Sequence, residues 1–129
     1  RKNASVLVLA MKREVDLKEA MRTAKKYIED KKKEESEAYR LDPAGEDDKG
    51  GELGTAQDVG NRRGRLAEFK MVLGDEPKRY VLLAVINDEE KMYALRCEST
   101  WESRQIWRQD FLDLLSTVKL RKTSKSAED

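Results

Sequence analysis

Three apolar segments follow one another with only short breaks between them, and this succession constrains the fold most. They span residues 65–73, 79–86 and 92–97. The breaks contain "GDEP" and "NDEEK", and both are typical of turns. The first segment alternates apolar and mixed residues, whereas the second is apolar throughout. Because strands joined by such short breaks pair antiparallel, the sequence predicts a three-stranded meander with its middle strand at the centre of a sheet.

A strand and a helix are predicted ahead of this meander. Residues 4–14, "ASVLVLAMKRE", are apolar on both alternating faces, so we expect a strand inside the sheet. Asp16 and Glu19 then have the spacing of a capping box. Apolar residues recur every three or four positions from Leu17 to Ile28, which predicts an amphipathic helix.

The segment that follows this helix is rich in turn-forming residues. Leu41 to Gly64 contains six of the seven glycines and one of the two prolines, so we expect residues 42–63 to form a mobile loop. Its carboxylates lack the ligand spacing of a calcium loop, and no metal site is predicted. A basic cluster at its end is interpreted as a charged hairpin end or, less favoured, as an anion-binding site. The cluster consists of Arg62, Arg63 and Arg65.

A last helix is predicted after the meander. Ser99 and Glu102 again have the capping-box spacing, so we expect the helix to begin at Ser99. One apolar stripe runs along it, which predicts that Trp107 belongs to the core. The stripe consists of Trp107, Phe111, Leu114, Leu115 and Val118. Trp101 lies on a different side of the helix, where it either covers the sheet edge or faces a partner.

The predicted elements follow the order β-α-loop-β-β-β-α. Such an order predicts an α+β fold in which an antiparallel sheet is flanked by helices. A chain of 129 residues is long enough for one core, so we expect a single domain over residues 1–122. Residues 123–129, "TSKSAED", are predicted to be a disordered tail.

The composition argues against most catalytic chemistry. The chain has no histidine and a single cysteine, Cys97, which lies near the end of an apolar strand and is predicted to be buried and inert. Serines lack the setting of a catalytic nucleophile, and no phosphate-binding glycine loop is present. We therefore predict no catalytic residue and no cofactor. An enzyme that works through carboxylates alone is the least favoured function.

Charge and hydropathy bear on partners and location. The chain carries 27 basic and 26 acidic side chains, without the basic excess that is typical of nucleic-acid binders. No apolar run approaches the roughly 18–20 residues that span a bilayer, so no transmembrane segment is predicted. The chain begins at Arg1 and shows no signal segment, so its compartment stays open. An extracytoplasmic location, with the signal removed, is one expectation.

The segment "RYVLLAVINDEEKMYALRCESTWESRQIWRQDFLDLLSTVKL" resembles the C-terminal half of PsbP-like domains, a superfamily that includes DcrB-type lipoproteins and Mog-type Ran-binding factors. The matching features are a strand, an acidic turn, a strand with "YAL", a helix and a short last strand at "STVKL". "SVLVLAMKREVDLKEAMRTAKKYI" fits the earlier strand and helix of that fold. The family usually has a strand or hairpin ahead of this point, which has no counterpart here.

The resemblance implies an α/β/α sandwich and a non-catalytic accessory, adaptor or envelope role. The favoured function is therefore a protein-interaction module that docks on another protein through exposed aromatic and arginine side chains. The candidate residues are Trp101, Arg104 and Arg108, although the two arginines are also candidates for pairing with Glu102 or Asp110.

An alternative function is lipid or small-ligand binding. The meander and the tryptophan-bearing helix also resemble the end of a pleckstrin-homology domain, in which "NRRGR" would be the binding loop. That fold needs seven strands before its single helix, and the predicted first helix does not fit it.

Overall fold

The structure, a computed structural model, describes residues 4–34, 39–44 and 53–120. Within these ranges the chain forms six strands and two helices. The elements are β1 (Ser5–Lys12), α1 (Leu17–Glu34), β2 (Tyr39–Pro43), β3 (Thr55–Val59), β4 (Arg62–Leu73), β5 (Glu76–Asn87), β6 (Lys91–Thr100) and α2 (Arg104–Ser116).

All six strands belong to one antiparallel sheet. The order is β1-β6-β5-β4-β2, and β3 also pairs with β4. One side of β4 pairs with β5, so β2 and β3 share its other side, β3 against residues 62–66 and β2 against residues 69–73. The predicted meander is confirmed as β4-β5-β6.

The two helices cover opposite faces of the sheet. Alternate residues of β5 point to opposite faces, so Val81 and Leu83 pack in the core under α1, whereas Leu82 and Ala84 pack in the core under α2. Residues Tyr80 through Ile86 are all at most 2% exposed. The predicted α+β fold with helices flanking an antiparallel sheet is therefore confirmed.

The first helix forms as its sequence predicts. The Asp16 Oδ1 atom accepts a hydrogen bond of 2.9 Å from the backbone N–H of Glu19, which satisfies a donor in the first turn. The predicted apolar face is buried, with Met21 fully enclosed and Ile28 4% exposed. Burial of each such side chain contributes about 1.5–3 kcal/mol to folding.

The strand β1 lies at an edge of the sheet instead of inside it. It pairs with β6 alone among the described strands, and Val6, Leu7 and Val8 are 40%, 57% and 63% exposed. A strand that is apolar on both faces has the same sequence pattern at the centre and at an edge of a sheet. The position depends on which strands pair, and periodicity does not record pairing.

The predicted loop over residues 42–63 needs correction. Within it, β3 forms a complete strand and β4 already begins at Arg62. Residues 45–52, and the predicted tail at 123–129, lie outside the described residues. Glycines favour a loop when counted together, yet here Gly60 serves the tight turn of the β3-β4 hairpin with a φ of +61°.

The last helix begins later than its sequence predicts. Ser99 is fully buried in β6 opposite Tyr80, and α2 starts only at Arg104 after Ser103, whose side chain makes no capping bond to the helix. The helix is also rotated from the predicted stripe. Phe111 and Leu115 are buried as predicted, but Leu114 is 43% exposed. Leu112 packs against the core instead.

The chain after α2 is tied to the β3-β4 turn. The backbone N–H of Asn61 donates to the Val118 carbonyl at 3.1 Å, and the Leu120 N–H donates to Asn61 Oδ1 at 3.1 Å. The last strand that the resemblance implied at "STVKL" is not formed within the described residues. Instead, Val118 and Leu120 are held by these two hydrogen bonds to Asn61.

Two glycines in turns allow a matched test of this contact. Gly60 and Gly74 have φ values of +61° and +65°. A Cβ atom at Gly74 would meet nothing within 4 Å, whereas one at Gly60 would collide with the Val118 carbonyl. We expect Gly74→Ala to cost about 1–2 kcal/mol of unfolding free energy, the cost of a left-handed alanine. Gly60→Ala should cost clearly more, because the end of the chain must also shift.

Urea unfolding of the two variants beside the unsubstituted protein measures this difference. Equal losses of unfolding free energy would show that the segment after α2 can move away from residue 60 without loss of stability.

Candidate functional site: a pocket between α2 and the sheet

The structure brings the three predicted docking residues together. Trp101, Arg104 and Arg108 line a pocket of about 240 Å³, named here the α2 pocket. Trp101 lies in the connection between β6 and α2, and the two arginines follow one helical turn apart on the same face of α2. The remaining lining residues come from the chain after β2, from β4, from β5 and from α2. They are Ala44, Glu68, Tyr80 and Gln105.

Trp101 and Arg104 hold each other in place. The Trp101 backbone N–H donates to the Lys78 carbonyl at 3.1 Å, and its partly buried side chain packs against the core under α2. The Arg104 guanidinium carbon lies 3.9 Å from the centroid of the Trp101 ring. Its Nη1 atom donates to the Trp101 carbonyl oxygen at 2.8 Å. Such a cation–π contact contributes about 0.5–2 kcal/mol, depending on its desolvation.

Arg108 has a different partner. Its Nε and Nη2 atoms donate to the two carboxylate oxygens of Glu68 at 2.6 Å and 3.0 Å. The predicted alternative, pairing with Glu102 or Asp110, is wrong for Arg108, because its partner is Glu68. The two residues are 40 positions apart in the sequence. For Arg104, the part of the chain that the structure describes offers no carboxylate partner.

Glu68 is the centre of a hydrogen-bonded network. The Tyr80 hydroxyl also donates to its Oε1 atom, at 2.5 Å. Burial opposes ionisation of Glu68, but the hydrogen bonds from Arg108 and Tyr80 outweigh it and lower the pKa of the carboxyl. Burial, and then the bond to Glu68, raise the pKa of Tyr80, so the phenol stays neutral. The bond to Glu68 raises the pKa of Arg108. The network is therefore a carboxylate held by one cation and one neutral hydroxyl.

Trp107 packs against the core under α2, as its sequence predicts. It is partly buried and stacks on Phe111 with ring centroids 5.9 Å apart, and Phe111 stacks on Tyr80 at 6.4 Å. This row of rings links α2 to β5. Trp107 is thus a packing residue, whereas Trp101 lies at the pocket.

Glu68 and Tyr80 were not among the predicted site residues. Glu68 falls on the strand face that the alternation assigns to a mixed character, together with Leu66. In the structure Leu66 is buried under α2, so a carboxylate two positions along the same face must enter a largely apolar layer. A charged residue in such a place needs a partner, and that requirement is the signal in the sequence.

The basic cluster does not form a common site. Arg65 donates to the carbonyls of Leu53 and Gly54 at 2.7 Å and 3.1 Å, so it fastens the chain ahead of β3. Arg63 is exposed and pairs with Asp58 across the hairpin at 3.4 Å. Arg63 and Arg65 are two positions apart on β4 and share one face of the sheet. Arg62 is one position from Arg63, so its side chain points to the opposite face. The geometry fits a charged hairpin end, and the anion-binding role of Arg62, Arg63 and Arg65 stays a prediction.

A second pocket, of about 170 Å³, lies between β1 and α1. Its wall is mainly apolar and includes Leu7, Tyr27 and Ile28. Arg96 also lines it, but its Nε atom donates to the buried Glu98 at 2.8 Å. This pocket combines an exposed edge strand with apolar side chains, and it lacks a cation held ready by an aromatic ring as in the α2 pocket.

The described residues contain no group of three histidine, cysteine, aspartate or glutamate side chains that could hold a metal ion. Among the helices within the described ranges, none is long and apolar enough to cross a membrane. Cys97 is fully buried, and burial raises the pKa of its thiol to about 11. A neutral, enclosed thiol is a poor nucleophile.

We expect Cys97 to react with a thiol reagent only after unfolding. Labelling with an aromatic disulfide at neutral pH should be slow in buffer and should reach one thiol per chain in denaturant. Rapid labelling of the folded protein would mean that β6 opens locally.

Replacement of Glu68 tests the network through its pH dependence. Because the pKa of Glu68 is lowered on folding, its stabilising contribution is fully present above the ordinary value of 4.5. The contribution is lost as the pH falls through the lowered pKa of the folded protein. Glu68→Gln should cost about 1–2 kcal/mol of unfolding free energy near neutral pH, and its deficit should shrink toward about pH 3.

Urea unfolding across this pH range provides the measurement. Glu76→Gln is the matched control, since Glu76 is 73% exposed and pairs with Lys78 at the surface. A deficit of Glu68→Gln that stays constant with pH would contradict the assignment of an ionised, paired carboxylate.

Comparison with known proteins places the fold. No protein-family model matches the sequence. The curated proteins also give no match. Among solved structures, the chain is similar to the solution structure of cyanobacterial PsbP (CyanoP) from Synechocystis sp. PCC 6803, with a TM-score of 0.62 and 11% sequence identity. The similarity covers 91% of this chain and 66% of the CyanoP chain. The resemblance to DcrB-type and Mog-type members stays a prediction, whereas the resemblance to PsbP is confirmed in three dimensions: the chain has a PsbP-like fold.

Proposed function

We propose that this protein is a non-catalytic accessory domain that docks on another protein through the α2 pocket, with Trp101, Arg104 and Arg108 at the contact. The observation that carries the proposal is the stacking of Arg104 on Trp101 at 3.9 Å, beside a second arginine that Glu68 fixes in place. Tryptophan and arginine are the residue types most enriched at the energetic centres of protein interfaces. Side chains that are already ordered lose less entropy on binding.

A protein partner fits this pocket better than a small ligand. Pockets that enclose small molecules usually measure about 300–1,000 Å³, and the α2 pocket, at about 240 Å³, falls below that range. Its size suits one or two side chains that protrude from a larger surface. The near balance of 27 basic and 26 acidic side chains argues against nucleic acid as the partner.

The PsbP-like fold is consistent with a non-catalytic role, without indicating which role. Domains of the PsbP-like type are mostly accessory or adaptor proteins, as the sequence resemblance implied, and the solved neighbour is a PsbP protein. The chain spans 66% of the length of that neighbour, so its own partner and an extracytoplasmic location are proposals about this chain alone.

The pleckstrin-like alternative has less support. Its helix should follow seven strands, but here α1 lies between β1 and β2, and the sheet has six strands within the described ranges. Its binding loop should gather Arg62, Arg63 and Arg65, and these side chains are spread over both sheet faces.

Site-specific photo-cross-linking tests the docking surface. A photoreactive phenylalanine at Gln105 lines the α2 pocket, whereas the same residue at Ile106 is one position away, 72% exposed and outside the pocket. Each variant is irradiated in an extract of the source organism, both in its soluble and in its membrane fraction. We expect one partner of defined mass to be cross-linked from position 105 and not from position 106.

The same cross-link should fall at least about fivefold when Trp101→Ala or Arg104→Ala is added. Arg63→Ala is the control, since Arg63 is an exposed arginine of the β3-β4 hairpin. Cross-linking that is equal from both positions, or that persists in both pocket variants, would contradict the proposal. A partner cross-linked from Leu7 and not from Gln105 would transfer the docking site to the pocket between β1 and α1.

A further inference from the structure

We infer that the α2 pocket recognises a carboxylate side chain of its partner, and that Arg104 is the residue that binds it. The inference rests on the proposed docking function and adds the chemistry of the partner. The ligand class is an aspartate or glutamate side chain with an apolar neighbour.

Arg104 has donors to offer. A guanidinium carries five N–H groups, and the one hydrogen bond from the Arg104 side chain to the described chain runs from Nη1 to the Trp101 carbonyl. The carbonyl takes a hydrogen bond but supplies no negative charge. The guanidinium carbon lies over the Trp101 ring, and the N–H groups that are not bonded to the Trp101 carbonyl are available to a carboxylate.

Arg108 shows by contrast what a satisfied arginine looks like in the same pocket. Both carboxylate oxygens of Glu68 already accept its donors, in the two-pronged geometry that arginine and carboxylate favour. Glu68 therefore balances the charge of Arg108 and occupies the Nε–Nη2 edge of its guanidinium. The two arginines lie one turn apart on α2, and only one has its carboxylate supplied by the described residues.

The charge of the pocket lining favours a monoanion. Glu68 carries one negative charge against the positive charges of Arg104 and Arg108, and Ala44, Tyr80, Trp101 and Gln105 are neutral. The sum is +1, which one carboxylate balances. A phosphorylated side chain brings nearly two negative charges and would approach the fixed Glu68 carboxylate, so it is disfavoured.

The apolar part of the lining defines the rest of the ligand. Ala44 and Trp101 line the same pocket as Arg104 and are its apolar members. An apolar side chain next to the acidic one in the partner would cover them and exclude water, which strengthens the ion pair.

Three capped tripeptides test the chemistry without knowledge of the partner: acetyl-Leu-Glu-Leu-amide, its Gln analogue and its phosphoserine analogue. Each is titrated into the labelled protein, and the shifts of the Trp101 indole N–H and the Arg104 Nε–H are followed by NMR. We expect saturable shifts with the Glu peptide, weaker binding of the Gln peptide by at least about fivefold, and a loss of the Glu preference when salt is raised.

The substitutions Arg104→Gln and Arg63→Gln complete the test. Arg104→Gln should abolish the Glu preference, whereas Arg63→Gln should leave it intact, since Arg63 pairs with Asp58 on the β3-β4 hairpin. Equal affinity for the Glu and Gln peptides, tighter binding of the phosphoserine peptide, or no shift up to the solubility limit of the Glu peptide would each overturn the inference.

The two proposals fail in different ways. If cross-linking from position 105 depends on Trp101 but survives Arg104→Gln, the docking function stands and the carboxylate recognition is refuted. If no cross-link forms specifically at position 105, the docking function is refuted, whatever the peptides do.

Discussion

The constraint on which the rest of the structure depends is the burial of β5 between two helices. Because both faces of this strand are enclosed from Tyr80 to Ile86, its neighbours β4 and β6 must each present an apolar face to α1 and another to α2. The register then has little freedom, since a shift by one residue would exchange the two faces. That register places Glu68 opposite Leu82 and Lys70 opposite Tyr80, so the carboxylate and the phenol meet on the α2 side.

A carboxylate in that position fixes the helix above it. Glu68 is held by Tyr80 from the sheet, and Arg108 of α2 provides the charge that makes its partial burial tolerable. To reach Glu68, α2 must turn its Arg108 side toward β4. This rotation fits the packing of Leu112 and the exposure of Leu114. It also places Arg104, one turn earlier, next to Trp101. The geometry of the α2 pocket is thus a consequence of how the helix is anchored.

Much of the fold follows from local sequence, and most of the site does not. The helix cap at Asp16, the turn after Asn87 and the alternation in β4 are encoded within a few residues, and the corresponding elements form. By contrast, β3 is stabilised by pairing with β4, so a count of glycines hides it. Trp101, Arg104 and Arg108 could be selected by residue type. Which arginine is paired within the chain depends on Glu68, 40 residues away from Arg108. Periodicity carries no information about such a contact.

The difference between the paired Arg108 and Arg104 decides which substitutions can test binding to a partner. Removal of Arg108 would leave Glu68 partly buried without its cation, and a buried unpaired charge destabilises the fold itself. Loss of binding in such a variant would therefore mix damage to the helix with loss of contact. Arg104 has no carboxylate of its own among the described residues, so its removal strands no buried charge. Although the sequence presents the two arginines as equivalent, Arg108 is bound to Glu68 and positions α2, whereas Arg104 is the residue that we propose for contact with another molecule.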